Sequence, residues 1–248
     1  MSAEPLVLVE RDEGVATVTL NRPQVKNAMS RALIKELEKA FDELAGDSGV
    51  EVMIITGAGD DAFSAGLDLK EMPQAEGLDA GAFMEEMIRT VRDPINALRR
   101  FDRPVIGAIN GVAITGGLEL VLNCDILLAS ENARFADTHT KVGVPPGWGM
   151  SQLLPRAVGI RKAKEMSFTG RFVSAQEAHA WGLVNQVFPL PELMTAARQM
   201  AAEIRTRIPQ MVKHFKKVID GGMGKSLDDA WAYELQEFEG YLHRMLGH

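Results

Sequence analysis

Apolar positions along the chain follow two rhythms, and the change from one to the other marks out the elements. Short apolar runs at 6–10 and 15–20 flank Asp12-Glu13-Gly14, which predicts a strand hairpin that Arg22-Pro23 closes. The spacing then becomes helical. Leu33, Ile34, Leu37, Phe41 and Leu44 share one face, with Ser30 suited to the N-cap and Gly46 to the stop. VEVMIIT (50–56) returns to the short, continuously apolar run of a buried strand and ends at Gly57 and Gly59. A glycine-punctuated loop (60–68) leads into Leu69-Lys70-Glu71-Met72, and 73–77 reads as a mobile segment. Met84, Met87, Ile88, Val91, Ile95 and Leu98 predict a helix over about 80–101, which Pro94 should kink or divide.

The stretch 104–125, PVIGAINGVAITGGLELVLNCD, predicts a strand (105–109) and then a helix opened by Gly116-Gly117, with Glu119 in its first turn. A strand at 126–129 follows, and 132–147 is polar and irregular. Short helices are expected at 148–154, 160–168 and 175–181, with a strand at 183–187. Beyond Pro189 the strand signal stops. Leu193, Ala197, Met200 and Ile204 form one helical face, and Val212, Phe215 and Ile219 a second. Leu227, Trp231, Leu235, Phe238 and Leu242 form a third, opened by a capping-box-like Ser226-Leu227-Asp228-Asp229. The chain therefore divides into an α/β core over 1–189 and a helical region over 190–248. No fixed-period sequence repeat is evident, although short strands, glycine turns and helices recur through 187.

Composition narrows the class without naming the chemistry. The 248 residues are 46% hydrophobic and 25% charged, enough for one sizeable core. A net charge of −7 argues against nucleic acid as a main partner. The single cysteine, Cys124, allows no internal disulfide and no cysteine-based metal cluster, and it fits a reducing, cytoplasmic compartment. The first residues lack a basic segment followed by an apolar one, so no secretory signal is expected. The most apolar stretch is interrupted by Asn110, Glu119, Asn123 and Asp125 and reads as buried core, not a membrane span.

Two glycine-rich turns carry the candidate chemistry: Phe63-Ser64-Ala65-Gly66 and Ile114-Thr115-Gly116-Gly117. Each follows an apolar strand and precedes a helix, so each exposes backbone N–H groups. Two such donors converging on one point would stabilise an oxyanion, and a carboxylate at Glu119 could move protons beside it. Glycines that merely turn the chain explain the same spacing. GxGxxG and GxSxG motifs are absent, Gly224-Lys225-Ser226 lacks the glycine five residues upstream that a P-loop requires, and no closely spaced His/Asp/Glu set suggests a metal.

At these residues a resemblance becomes specific. Asn21-Arg22-Pro23 with Asn27-Ala28-Met29, AFSAGLDLKEM (62–72), PVIGAINGVAITGGLELVLNCDI (104–126), FADTHTKVGVPPGWGMSQLLPRAVG (135–159) and GLVNQV (182–187) together resemble the enoyl-CoA hydratase/isomerase (crotonase) superfamily over nearly the whole chain. The resemblance implies an α/β fold built as a spiral of ββα units, with C-terminal helices that assemble a homotrimer or a dimer of trimers. It implies an acyl-CoA thioester as substrate, with coenzyme A part of that substrate and no further cofactor. Ala65 and Gly116 would supply the two oxyanion-hole amides. Ser64, Ala65, Gly66, Leu67 and Asp68 would line the thioester site, and Lys26 and Ala28 would hold the nucleotide end. Asp68 also suits a bracing role for the helix that follows.

Hydratases of this superfamily use two glutamates. The first maps onto Glu119; the second falls on His139, within Thr138-His139. Asp137 would share His139's side if the segment were extended. Imidazole can serve as the second proton-transfer group, because its unperturbed pKa, about 6.5, lies in the useful range. The expected activity is hydration of a 2-enoyl-CoA by Glu119 and His139. Other enolate chemistry (decarboxylation of a malonyl-CoA-type thioester, or double-bond isomerisation) stays open, as does a non-catalytic acyl-CoA binder. Trp148 would trim the acyl pocket or pack, and Lys213, Lys216, Lys217 and Lys225 would meet CoA phosphates or form a solvated face.

Overall fold

The computed structural model describes residues 4–71 and 80–246. The segment 73–77, read as mobile, lies outside the described residues, as do the side chains of Met84, Met87 and Val91.

β1 (Val7–Asp12) and β2 (Val15–Leu20) form the expected antiparallel hairpin. α1 (Arg31–Gly46) follows, with Ser30 Oγ accepting from Leu33 N as its N-cap. Three ββα passages come next. β3 (Val52–Gly57) and β4 (Ala62–Ser64) lead to α2 (Ala80–Arg100). β5 (Val105–Ile109) and β6 (Val112–Ile114) lead to α3 (Gly116–Leu122). β7 (Ile126–Ser130) and β8 (Arg134–Ala136) lead to α4 (His139–Val142). In each passage the first strand joins one sheet and the second joins another. The result is a six-stranded sheet ordered β1-β2-β3-β5-β7-β10 and a four-stranded sheet ordered β4-β6-β8-β9. This is the expected ββα spiral.

The chain continues through α5 (Met150–Val158), α6 (Ile160–Thr169), β9 (Val173–Ser174), α7 (Ala175–Ala180) and β10 (Gln186–Phe188). It ends in α8 (Leu190–Arg205), α9 (Pro209–Gly222) and α10 (Leu227–Leu246). The strand expected at 183–187 is displaced to β10, because Leu183 and Val184 are buried ahead of it without pairing. α2 runs through Pro94 as one helix. Among the described residues no helix is long and apolar enough to cross a membrane.

β3 explains why its sequence looks apolar throughout. All six of its residues are buried, and the first four alternate between two cores. Met53 and Ile55 belong to the core that includes Leu33, Leu37 and Phe41 of α1. Val52 and Ile54 belong to the core that includes Leu193, Ala197 and Ala201 of α8. The first C-terminal helix is therefore a layer of the core, and the change in packing falls after α8 instead of at 189. α9 and α10 bury no residue, and leave Phe215, Ile219, Leu227, Trp231, Leu235 and Phe238 more than half exposed. Ser226 caps α10 as expected, its Oγ accepting from Asp229 N at 3.2 Å.

Buried polar side chains pin the corners of the spiral. Asn110 Nδ2 donates to the carbonyls of Gly59 and Ala62, and its Oδ1 accepts from Gly57 N. Arg103 donates to four carbonyls at and just beyond the end of α1 (Leu44, Ala45, Asp47 and Val50) and so ties down the chain where the helix stops.

Candidate active site

Two turns are pressed together beneath one cavity. Gly66 has φ +87°, and a Cβ there would lie 2.8 Å from Ile114 O. A Cβ on Gly117 would lie 2.4 Å from Ser64 O, so only glycine lets the start of α3 approach the β4 loop. Between them sits Thr115 at φ 52°, ψ −110°, a backbone state that costs a β-branched residue about 1–3 kcal/mol. Surrounding bonds hold it there. Its N–H donates to Ala136 O at 2.9 Å, and its hydroxyl bonds that of Thr138 at 2.5 Å.

The expected donor at Ala65 is corrected by this geometry. Ala65 N–H is committed to Lys26 O at 2.9 Å, so it has nothing to offer a ligand. The neighbouring bridge uses Gly66 O and Asp68 N, which pair with Met29 N and Met29 O, and skips Leu67. Leu67 N–H makes no hydrogen bond among the described residues. It lies 3.7 Å from where a Cβ on Gly116 would stand. Gly116, the first residue of α3, has no intrahelical acceptor for its own N–H. Leu67 and Gly116, both of which line the cavity, thus offer free amides.

Ser64 is also reassigned. It is fully buried, donates to Asn27 O and accepts from Gly66 N, and so serves the loop and not a ligand. Asp68 pairs with Arg22 at 3.0 Å and accepts from Lys70 N, the bracing role considered for it. Lys26 is exposed and Ala28 half-buried, both outside the residues that line the cavity. Lys213, Lys216 and Lys217 are paired with Asp102, Asp125 and Glu237.

A cavity of about 800 Å³ opens over these turns, with Ala65, Leu67, Asp68, Gly116, Glu119 and His139 among its lining. α2 adds Ile88 and Ile95 to its wall, and Trp148 closes part of it. Ile88 was expected to be packed away; its 52% exposure reflects a place on the cavity wall. Glu119 is only 3% exposed. Its Oε1 accepts from Trp148 N at 2.7 Å and Met150 N at 3.2 Å, so the turn into α5 fixes one lobe of the carboxylate. The other lobe, Oε2, stands 3.6 Å from His139 Nε2, an ion-pair contact too long for a hydrogen bond.

His139 opens α4, so the segment before it is not extended. Asp137 reaches it all the same. Asp137 Oδ1 accepts from His139 N at 3.2 Å, as in an Asx turn, and lies 2.7 Å from His139 Nδ1. Burial by itself would favour a neutral ring. The hydrogen bond to Asp137 and the contact with Glu119 outweigh it and push the His139 pKa up to about 9. Burial would likewise raise the Asp137 carboxyl. Hydrogen bonds from the His139 ring, the Ser167 hydroxyl and the His139 amide instead hold it below the usual carboxylate range. At neutral pH, then, the ring is an imidazolium between two acidic side chains.

Comparison with known proteins agrees with this architecture over the whole chain. The family model described as enoyl-CoA hydratase/isomerase matches residues 10–245. The chain belongs to the enoyl-CoA hydratase/isomerase family. Among this family's members, the short-chain-enoyl-CoA hydratase of Clostridium acetobutylicum is 39% identical over 94% of this chain and 87% of its own. The crotonyl-CoA hydratase of Syntrophomonas wolfei is 33% identical over 94% of this chain and 88% of its own. The crystal structure of an enoyl-CoA hydratase from Bacillus anthracis superposes with a TM-score of 0.88 at 36% identity, covering 96% of this chain and 91% of that one.

The fold brings the expected Glu119, His139 and Gly116 together around one cavity. Sequence reading missed the Leu67 amide and the Trp148 and Met150 amides that orient Glu119, because backbone donors leave no residue-type signal. Asp137 carried one: its two-residue spacing from His139.

Proposed function

We propose that this chain adds water to a 2-enoyl-CoA, passing through a thioester enolate. One observation carries the reading: Glu119 has one oxygen fixed by two amides and the other 3.6 Å from His139 Nε2, inside the cavity bounded by Leu67 and Gly116. The thioester oxygen is held by the N–H groups of Leu67 and Gly116, each worth about 3–4 kcal/mol to an oxyanion. Glu119 Oε2 takes a proton from water as the water oxygen bonds to C3. The imidazolium of His139 gives its Nε2 proton to C2. Proton return from Glu119 to Nε2 across the 3.6 Å gap resets the pair. Water and the enoyl thioester supply every atom of the product, so no further cofactor is needed. The nucleotide end of coenzyme A lies toward Lys26 and Ala28.

The bare apolar face of α9 and α10 supports self-association as a trimer or a dimer of trimers. Light scattering coupled to size exclusion tests it: a monomeric mass overturns the assembly.

The activity test is to mix purified protein with crotonyl-CoA and follow the loss of enoyl absorbance. Turnover that disappears in Glu119→Gln supports hydration. Intact thioester binding with no turnover overturns it. The replacement of the second glutamate by His139 keeps a second reading in view, other enolate chemistry on the same oxyanion site. Decarboxylation of a malonyl-CoA-type thioester without hydration of crotonyl-CoA would select it.

A further inference from the structure

We propose that Asp137 is a positioning residue of this site, holding the His139 ring so that Asp137, His139 and Glu119 work as one proton-transfer unit. The proposal rests on the hydration reading only for its kinetic test. Asp137 is 3% exposed and is spent almost wholly on His139, accepting from both its main chain and its ring. A carboxylate has only acceptors, so an Nδ1 that stands 2.7 Å from it must carry a proton. That leaves Nε2 as the atom directed at Glu119. An imidazole ring has a broad, roughly two-fold outer torsion and does not choose this orientation unaided. Without Asp137, a flipped ring would turn carbon toward Glu119. The second effect is on charge. The groups that act on the ring are Glu119 from α3 and Asp137 from its own segment; α6, which packs against α4, contributes the Ser167 hydroxyl to Asp137. Both charged neighbours are acidic, and both favour the protonated ring.

Asp137→Asn is the informative variant, because the amide oxygen still accepts from His139 N while the charge is gone. NMR of labelled histidine comes first, since it needs no turnover. In the native protein the His139 ring should be doubly protonated at neutral pH and titrate near pH 9. In Asp137→Asn the titration should move down by about one unit or more, the size expected when a close opposite charge is lost. An unmoved titration overturns the proposal.

Kinetics with crotonyl-CoA follow. The alkaline limb of kcat should move to lower pH by the same shift, with KM for the thioester little changed. Asp137→Asn should cost less in a His139→Glu background than in the native one, because the residue it positions is no longer there. Equal losses in both backgrounds would mark Asp137 as merely structural and overturn the proposal. If no enoyl thioester is hydrated at all, the functional reading falls, while the NMR titration still decides the role of Asp137.

Discussion

The cavity is bounded by two regions made in opposite ways. The floor, 64–68 with 114–117, is backbone: Gly66 and Gly117 allow the approach, Thr115 is held at positive φ, and two amides remain free. The wall, 137–150 with Glu119, is side-chain chemistry: His139 between Asp137 on one ring nitrogen and Glu119 on the other, with Trp148 also lining the cavity. On the proposed reading, a floor of amides would stabilise any thioester enolate, whatever produced it, and the wall would decide how protons move and therefore which reaction follows. On that same reading, the division explains how a family pattern can persist with His139 in the place of a second glutamate. Exchanging a wall residue leaves the floor untouched.

The largest effect should come from the wall. Glu119→Gln removes the base and the return path for the proton, and it should lower kcat for crotonyl-CoA by up to about 10⁴-fold. Its two anchoring amides can still bond a glutamine oxygen, so the stability lost should be confined to the ion-pair contact with His139. A variant that keeps a tenth of native turnover would remove Glu119 from the mechanism. Next comes the floor. Replacing Leu67 by its α-hydroxy acid substitutes an ester for one amide and deletes a single donor. Turnover should fall about 10²–10³-fold. The same replacement at Ala65 deletes the bond to Lys26 O and should appear as lost stability, about 1 kcal/mol, with turnover largely kept. If the Ala65 ester were the inactive one, the assignment of the floor would be reversed.

A smaller effect is set by pH. His139 has its folded pKa raised from 6.5 to about 9, so its charge contributes stability that is fully present below pH 6.5 and lost as pH rises through 9. Turnover that needs the imidazolium should fall over the same upper limb, tenfold per unit beyond pH 9. In His139→Ala that limb should vanish and kcat should drop by about 10²-fold. An unchanged profile in the variant would exclude the ring.

How much of this was legible before the structure depended on whether a feature is carried by side chains or by pairing. The runs at 52–56, 105–109 and 126–129 announced β3, β5 and β7, since central parallel strands are apolar on both faces. The strands of the other sheet, β4, β6, β8 and β9, are two or three residues long, too short for any period to show; β4 and β8 fell within stretches read as irregular, and β6 and β9 were not anticipated. Glu119 stood out as a carboxylate in the first turn of a glycine-opened helix, whereas His139 was singled out only through the family resemblance. Ala65 was expected to offer a free amide, which it does not, because an amide's freedom depends on which carbonyl reaches it, and Lys26 O is a neighbour only in the fold. α8 was grouped with α9 and α10 for a similar reason. An amphipathic face shows that a helix packs, not what it packs on.

The smallest effect offers the sharpest test of the division between floor and wall. Leu67→Ala keeps the amide and trims a side chain that lines the cavity and packs against the core. The contact it loses is made alike in the bound substrate and in the transition state, so binding weakens without a change in the barrier from the bound complex. KM should rise a few-fold while kcat stays within about twofold, a loss of uniform binding. Trimming two methylenes and more from a cavity wall costs on the order of 1–3 kcal/mol at most. Comparing this variant with the Leu67 ester isolates the donor at one position. One removes most of the side chain and spares the N–H; the other removes the N–H and spares the side chain. If Leu67→Ala lowered kcat as far as the ester does, the floor would owe its function to side-chain packing, and the contrast with the Asp137–His139–Glu119 wall would collapse.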